Sequence, residues 1–232
     1  MHILLVFATA TECEGFQRTL EKNATFDEEN AFYSFKNLTL EFFVSGVGMT
    51  TTCYTLTKKI MASDYDLIIN AGIAGAFDHK VSLGSVFLVS KDRFADLGVE
   101  DAQGIFSDVY ETGLVLGNNF PFRDGWMQAD FGILSFDLYD HAIAITVNKV
   151  TGSATSIQSI RTKYQPDIES MEGAACFYVA KMNHIPCLQL RSISNHVEPR
   201  DKSKWNIPLA LKHLEDACFN ILEYISKQIQ IP

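Results

Sequence analysis

The sequence has few cysteines and little positive charge. Its five cysteines are widely spaced and none is in a Cys-x-x-Cys arrangement, so neither a disulfide framework nor a zinc site is indicated. The 19 Lys and Arg residues are outnumbered by 28 Asp and Glu residues, which gives a formal charge of −9. A nucleic-acid or membrane-surface partner would require a basic face, so we expect neither.

The sequence also lacks a long hydrophobic run and a basic leader. Residues 3–7 are apolar, but this run is too short for a signal core or a membrane span. Hydrophobic residues still make up 47% of the 232 residues, enough for a sizeable core without crosslinks. We therefore expect a globular protein of the reducing cytoplasm. No metal ion or organic cofactor is expected, because no His/Cys/Asp cluster has ligand spacing.

Short apolar runs alternate with segments of helical periodicity along most of the chain. Strands are predicted at residues 2–8, 32–35, 40–45, 66–71, 85–90, 144–147 and 187–193. Helices are predicted at residues 12–22, 50–62, 156–164, 172–182 and 208–228. Residues 94–126 have no clear period and are predicted to be mostly loop. This order predicts a single three-layer α/β domain over residues 1–232, with a central twisted mixed sheet flanked by helices.

Two glycine-rich segments follow predicted strands, at residues 46–48 (Gly-Val-Gly) and 72–75 (Gly-Ile-Ala-Gly). Glycines after strands usually serve tight turns, and either segment alone is better explained in that way. Ligands of open α/β sheets bind beyond the carboxyl ends of the strands. Two such turns after successive apolar strands therefore make a ligand contact as probable as a purely structural turn.

An acidic residue opens a predicted helix in residues 170–175, Ser-Met-Glu-Gly-Ala-Ala. Glu172 would complement the helix dipole, which is a common use of glutamate in a first turn. The small residues after it leave open space beside the carboxylate, where long helix formers would be expected if only stability mattered. Residues 191–195, Arg-Ser-Ile-Ser-Asn, follow residues 187–190 at the end of a later predicted strand. They either form a polar exit loop or place an amide, Asn195, and a cation, Arg191, at the carboxyl edge of the sheet.

These two segments, the glycine turns and the acidic turn at residues 11–14 (Thr-Glu-Cys-Glu) resemble the nucleoside phosphorylase/nucleosidase superfamily in order and spacing. The resemblance covers essentially the whole chain. Within that superfamily, residues 94–101 and 195–200 look like the futalosine hydrolase branch. The resemblance implies hydrolysis of the N-glycosidic bond of a purine nucleoside. For this branch, it implies release of hypoxanthine and dehypoxanthine futalosine from futalosine, in menaquinone biosynthesis.

The resemblance also implies roles for single residues. Glu14 matches the general base that activates water, with Glu12 as the alternative because this turn is slightly longer than in related nucleosidases. Met171 would pack on the ribose. Glu172 would bind the ribose hydroxyls and stabilise the oxocarbenium-like charge of the transition state, and Asn195 would bind the leaving base. Further substrate-binding residues implied by the resemblance are Gly48, Gly72, Ile73, Ala74, Gly75 and Arg191.

The identity of residue 195 separates the enzymatic alternatives. Asn195 stands where adenine-specific members of the superfamily carry Asp, which argues against a 5′-methylthioadenosine/S-adenosylhomocysteine nucleosidase. An amide can serve O6 and protonated N7 of hypoxanthine, so a 6-oxopurine is favoured. A phosphorylase is disfavoured because the acidic turn has no Arg and Ile73 stands where a Ser would bind phosphate. A non-catalytic nucleoside-binding protein would have no use for a water-activating carboxylate.

The resemblance implies a homo-oligomer and a small-molecule purine nucleoside as the substrate. Members of the superfamily form dimers or larger assemblies in which a loop of one subunit closes the pocket of its neighbour. Residues 94–106 are the candidate loop, with an ordinary surface excursion as the alternative. Arg191 either orients a carboxylate or water or forms a structural ion pair. The nearest cations for the carboxylate on the tail of futalosine are Arg93, Arg200 and Lys202.

Overall fold

The computed structural model describes residues 1–131 and 138–229. The helices are α1 (Ala10–Glu21), α2 (Met49–Ile60), α3 (Ala154–Tyr164), α4 (Gly173–Met182) and α5 (Ile207–Gln228). The strands are β1 (His2–Phe7), β2 (Thr25–Asp27), β3 (Phe32–Phe35), β4 (Leu38–Val44), β5 (Leu67–Ala76), β6 (Val86–Asp92), β7 (Gly98–Glu100), β8 (Phe106–Asp108), β9 (Met127–Gln128), β10 (His141–Thr146), β11 (Ile168–Ser170) and β12 (Cys187–His196). In this part of the chain, no helix combines the length and apolar character that a membrane span requires.

The predicted helices have counterparts whose ends differ by up to two residues from the prediction. The start of α1 shows why such ends are hard to predict. Thr9 caps this helix, because its hydroxyl accepts from the backbone N–H of Glu12 while the Glu12 carboxylate accepts from the backbone N–H of Thr9. This reciprocal capping box begins the helix two residues before the predicted position.

The described strands, apart from the separate β7–β8 pair, form one mixed sheet in the order β11-β10-β6-β12-β5-β1-β4-β3-β2, with β9 paired to β6. This confirms the predicted mixed sheet flanked by helices. β11 also pairs with β5, so that β5, β12, β6, β10 and β11 close into a ring. The sequence did not predict β11, because a strand of three residues is too short to show a period.

The central strand β1 shows why helices cover both faces of the sheet. Ile3, Leu5 and Phe7 belong to the core that contains α1 and α5. Leu4 and Val6 belong to a second core that contains α2 and α4. Successive side chains of a strand point to opposite faces, so a continuous apolar run is suited to a strand that is buried on both sides. The result is the expected arrangement of three layers.

Residues 72–75, predicted as a turn, are instead the continuation of a strand, and of the two alternatives for residues 191–195 the structure shows the end of a strand rather than an exit loop. β5 runs through residues 72–75, and β12 runs through residues 191–195. The two strands are parallel neighbours along almost their whole length. Their mutual pairing satisfies the backbone polar groups of both segments, which outweighs the turn preference of glycine.

Candidate active site

A cavity of about 300 Å³ lies beyond the carboxyl ends of β1, β5 and β12, beside the point where β11 closes the ring. The residues that line it include the polar Glu12, Glu169, Glu172 and Asn195 and the aromatic Trp205. Among the described residues that line it, none is Lys or Arg. A neutral group, or one that develops positive charge, is therefore better suited to the inside of this cavity than an anionic group.

Glu12 faces the cavity, and Glu14 does not. The Oε2 atom of Glu12 accepts from the backbone N–H and the hydroxyl of Thr9 at 3.0 and 3.2 Å. Its Oε1 atom accepts from the backbone N–H of Ile73 at 3.2 Å. Glu14 is exposed to solvent. Side chains two residues apart on a helix point about 200° apart, so α1 can turn only one of the two glutamates inward, and the expected location of Glu14 in the site is corrected.

Glu172 is buried at the start of α4, where it makes no side-chain cap bond to its own helix. Its Oε1 atom instead accepts from the backbone N–H of Gly48 at 2.8 Å. Burial raises the pKa of Glu172, the Gly48 N–H and Arg191 lower it, and repulsion from Glu12 adds to the rise. Gly48 has a φ of +87°, a conformation that glycine adopts without strain. Gly48 therefore supports the site through Glu172 rather than by lining the cavity.

Arg191 lies buried beneath the cavity. Its Nη2 atom donates to Oδ1 of Asn70 and, at 3.3 Å, to Oε1 of Gln189. A Cβ atom at Gly72 would lie 2.6 Å from Nη1 of Arg191 and 3.0 Å from Oε1 of Glu12. Gly72 is thus required for the close approach of the guanidinium and the carboxylate to the strand. Neither Gly72 nor Arg191 lines the cavity, so both would affect a ligand only through the residues that do.

A bulge near the end of β12 accompanies the entry of Asn195 into the site. The pairing of β12 with β5 shifts by one residue between Ile193 and Asn195, and such bulges re-aim side chains. Oδ1 of Asn195 accepts from the hydroxyl of Ser194 at 2.8 Å, and Nδ2 donates to the carbonyl of His196 at 3.0 Å. The amide keeps one donor hydrogen and one acceptor lone pair for a ligand. Four more predicted binding residues line the cavity: Ile73, Ala74, Gly75 and Met171.

Sequence reasoning missed the third carboxylate, Glu169, in the middle of β11. Its two oxygens accept from the backbone N–H of Thr151, at 2.9 Å, and from the Thr151 hydroxyl. Burial raises the pKa of Glu169, and the two bonds from Thr151 oppose that rise. Its place in the site depends on the pairing of β11 with β5, for which the local sequence carries no signal.

The three cations suggested for a substrate carboxylate lie outside the cavity. Arg93 is buried and paired with Asp108 at 2.6 Å. Arg200 lines a narrow crevice that shares part of its wall with the cavity, whereas Lys202 is exposed. Residues 94–106 contribute nothing to the cavity wall in this chain.

Comparisons with known proteins agree with this architecture. A futalosine hydrolase of Streptomyces coelicolor is 28% identical over 230 residues, which cover 94% of this chain and 93% of that protein. A futalosine hydrolase of Acidothermus cellulolyticus is 27% identical over 92% of this chain and 87% of its own length. The crystal structure of Campylobacter jejuni 5′-methylthioadenosine/S-adenosyl homocysteine nucleosidase shares the fold, with a TM-score of 0.76 at 19% identity over 98% of this chain and 99% of that chain. The family model of the phosphorylase superfamily matches residues 2–226, and this chain belongs to that superfamily.

Proposed function

We propose that this protein hydrolyses the N-glycosidic bond of futalosine and releases hypoxanthine and dehypoxanthine futalosine, a step of the futalosine route of menaquinone biosynthesis. Relatives named futalosine hydrolase and 5′-methylthioadenosine nucleosidase support the broader activity, that of a nucleosidase. The observation that carries the proposal is the cavity itself. It brings the carboxylates of Glu12 and Glu172 and the amide of Asn195 together, with no Lys or Arg among its described lining residues.

We assign the general base to Glu12. Its oxygens are held by Thr9 and by the backbone N–H of Ile73, and they retain lone pairs for a water molecule. A base must lie within hydrogen-bond reach of the water that it deprotonates, and Glu12 is the glutamate of α1 that faces the cavity. As the water oxygen bonds to the anomeric carbon, its proton passes to Glu12.

We assign the sugar to Met171 and Glu172, which line the cavity next to each other. The carboxylate of Glu172 accepts hydrogen bonds from the ribose hydroxyls. The bond between the sugar and the purine breaks, and both of its electrons stay with the purine. This leaves positive charge on the sugar. A fixed carboxylate stabilises that developing charge more than it stabilises the neutral substrate, so it lowers the barrier.

We assign the leaving base to Asn195. The purine gains negative charge as it departs and needs a proton or a hydrogen bond at N7. The free amide hydrogen of Asn195 can donate to N7 or to O6 of a hypoxanthine. The bond from the Ser194 hydroxyl to Oδ1 holds the amide in this orientation.

Water is favoured over phosphate as the nucleophile. Phosphate would have to bind beside Glu12 and Glu172 in a cavity whose described lining lacks a cation. Like charges in a partly desolvated site repel strongly, since the effective dielectric there is below that of water. We therefore assign hydrolysis rather than phosphorolysis.

The deciding assay supplies futalosine to the purified protein and measures hypoxanthine, with 5′-methylthioadenosine and inosine as parallel substrates. We expect hypoxanthine from futalosine at the same rate with and without phosphate, and a sugar product with a free anomeric hydroxyl. A ribose 1-phosphate product would mean that the protein is a phosphorylase. Cleavage of 5′-methylthioadenosine alone would show the other nucleosidase, and cleavage of no substrate would favour a binding protein.

A further inference from the structure

Three cavity residues lie in one row across neighbouring strands. Glu169 of β11 pairs with Gly75 of β5, and Asn195 of β12 pairs with Gly75 from the other side. All three line the cavity. Adjacent strands are about 4.8 Å apart, so the backbones that carry the carboxylate and the amide are roughly 10 Å apart. Gly75 puts no side chain between them.

The absence of a side chain at Gly75 keeps this row open. A Cβ atom there would lie 3.0 Å from Nδ2 of Asn195 and 3.0 Å from a methyl group of Val197. The nitrogen of the Asn195 amide is thus the part of that side chain nearest to Gly75. The row consists of a hydrogen-bond donor on one side, a flat floor in the middle and an acceptor on the other side.

Glu169 differs from Asn195 in what it can recognise. A carboxylate accepts hydrogen bonds only, and the two bonds from Thr151 leave a free lone pair on each oxygen. An amide carries both a donor and an acceptor, so Asn195 by itself does not reject either kind of purine. A 6-oxopurine carries a hydrogen on N1, whereas N1 of a 6-aminopurine is an acceptor. The Glu169 carboxylate therefore attracts the first ring and repels the second.

We propose that Glu169 determines the choice of purine by accepting the N1–H of a 6-oxopurine, while Asn195 donates to its O6 or N7 and the ring lies over Gly75. This inference rests on the proposed function, because it takes a purine nucleoside as the substrate. It assigns Glu169 to specificity, since the side chain contacts the base and not the bond that breaks.

A purely structural role for Glu169 would be to anchor residues 150–152, and a matched pair of variants separates the two roles. Glu169→Gln keeps the size of the side chain and an acceptor for Thr151, but gives it an amide that can donate to an unprotonated N1. Thr151→Val keeps the shape and the backbone N–H of residue 151 while removing the hydroxyl that bonds to Glu169. The rate constant kcat/KM is measured for futalosine and for its 6-amino analogue with each protein.

We expect Glu169→Gln to lower kcat/KM for futalosine and to raise it for the 6-amino analogue, so that their ratio changes by about tenfold or more. Thr151→Val should change both values in the same direction and leave the ratio nearly constant. An equal loss for both substrates in Glu169→Gln would overturn the proposal and reduce Glu169 to an anchor.

A measurement on the unaltered protein covers the case in which Glu169→Gln does not fold. Hypoxanthine and 1-methylhypoxanthine are compared as inhibitors, since the methylated base has no N1–H. We expect inhibition by the methylated base to be weaker by about tenfold or more, and equal inhibition would overturn the proposal.

Failure of the proposed function gives a different pattern. If the protein does not cleave futalosine but prefers inosine to adenosine, the substrate assignment fails, and the ratio test is then made on that pair. A preference of the unaltered protein for 6-amino substrates would overturn the role of Glu169 directly.

Discussion

Asp108 and Glu172 are both buried carboxylates, but they have different partners. Asp108 pairs with Arg93 at 2.6 Å and accepts from the Tyr164 hydroxyl at 3.1 Å. Glu172 accepts from the backbone N–H of Gly48, and no ion pair is found for it among residues 1–131 and 138–229. Glu172, in the cavity, is thus held by a neutral donor, whereas the charge of Asp108, outside the cavity, is neutralised by Arg93.

The surroundings of the two groups differ as well. The guanidinium of Arg93 lies against three aromatic rings, at centroid distances of 5.2, 5.0 and 4.3 Å from Tyr110, Trp126 and Tyr164. This aromatic box, formed by Tyr110, Trp126 and Tyr164 around Arg93, connects residues 94–126 to α3. Glu172 faces an open cavity. A paired and enclosed charge serves structure, whereas a buried charge without a direct ion pair lowers stability and remains available to a ligand that becomes positive.

Removal of a charge from the cavity should have the largest effect, and it should fall on catalysis. Glu12→Gln keeps one acceptor for the capping box with Thr9 but removes the base, so we expect kcat to fall by about 10²–10⁴-fold. The bond from the backbone N–H of Ile73 is lost as well, and we expect this to lower the free energy of unfolding by about 1 kcal/mol. Glu14→Gln is the matched control on the same helix and should retain near-normal turnover. Loss of activity in Glu14→Gln alone would return the base to Glu14, contrary to its exposure.

Removal of the cation from the aromatic box should have the next largest effect, and it should fall on stability. Arg93→Met leaves Asp108 buried with only the longer ion pair to Lys163, at 3.9 Å, so we expect the free energy of unfolding to fall by about 2–3 kcal/mol. The kcat of the folded fraction should change little. Chemical denaturation measures the loss, and Arg93→Met combined with Asp108→Asn should recover part of it. A loss below about 1 kcal/mol would mean that the pair contributes no more than a surface ion pair.

A third buried carboxylate, Asp92, should lower the free energy of unfolding when it is charged. This effect should depend on pH. Burial raises the pKa of Asp92 to about 6, although Gln189, Thr146 and the charge of Arg191 lower it. The folded state therefore binds a proton at higher pH than the unfolded state, so this carboxylate destabilises the fold at neutral pH, and the effect disappears as the pH falls through 6 towards 4. Relative to Asp92→Asn, the wild-type free energy of unfolding should rise by roughly 2–3 kcal/mol over that range. A constant difference would contradict the raised pKa.

Addition of a carboxylate to the cavity should have the smallest effect, and it should fall on selectivity. Asn195→Asp changes the size little, so folding should be retained. An ionised Asp would face O6 of a 6-oxopurine as acceptor against acceptor, but it could accept from a 6-amino group. We expect the ratio of kcat/KM for futalosine to that for its 6-amino analogue to fall by about tenfold. An unchanged ratio, measured at one pH, would show that other atoms read the 6-position.

Much of the fold and part of the site could be predicted from local patterns. The apolar run of β1 and the period of α5 are explicit in the sequence, and both elements occur where they were expected. Glu172 and Asn195 were identified from short motifs, and both line the cavity. Glu169 was not identified, because its location depends on a pairing with Gly75, which is distant in the chain.

The sequence by itself determined the helices and the longer apolar strands, since periodicity and capping act between residues close in the chain. It also determined which acidic and amide residues were candidates. Only the tertiary structure decided that Glu12 and not Glu14 faces the cavity, because that choice depends on the rotation of α1 against the sheet. It likewise decided that residues 72–75 are strand and that Glu169 joins the site. Pairing with distant strands decides both, and no local pattern encodes it.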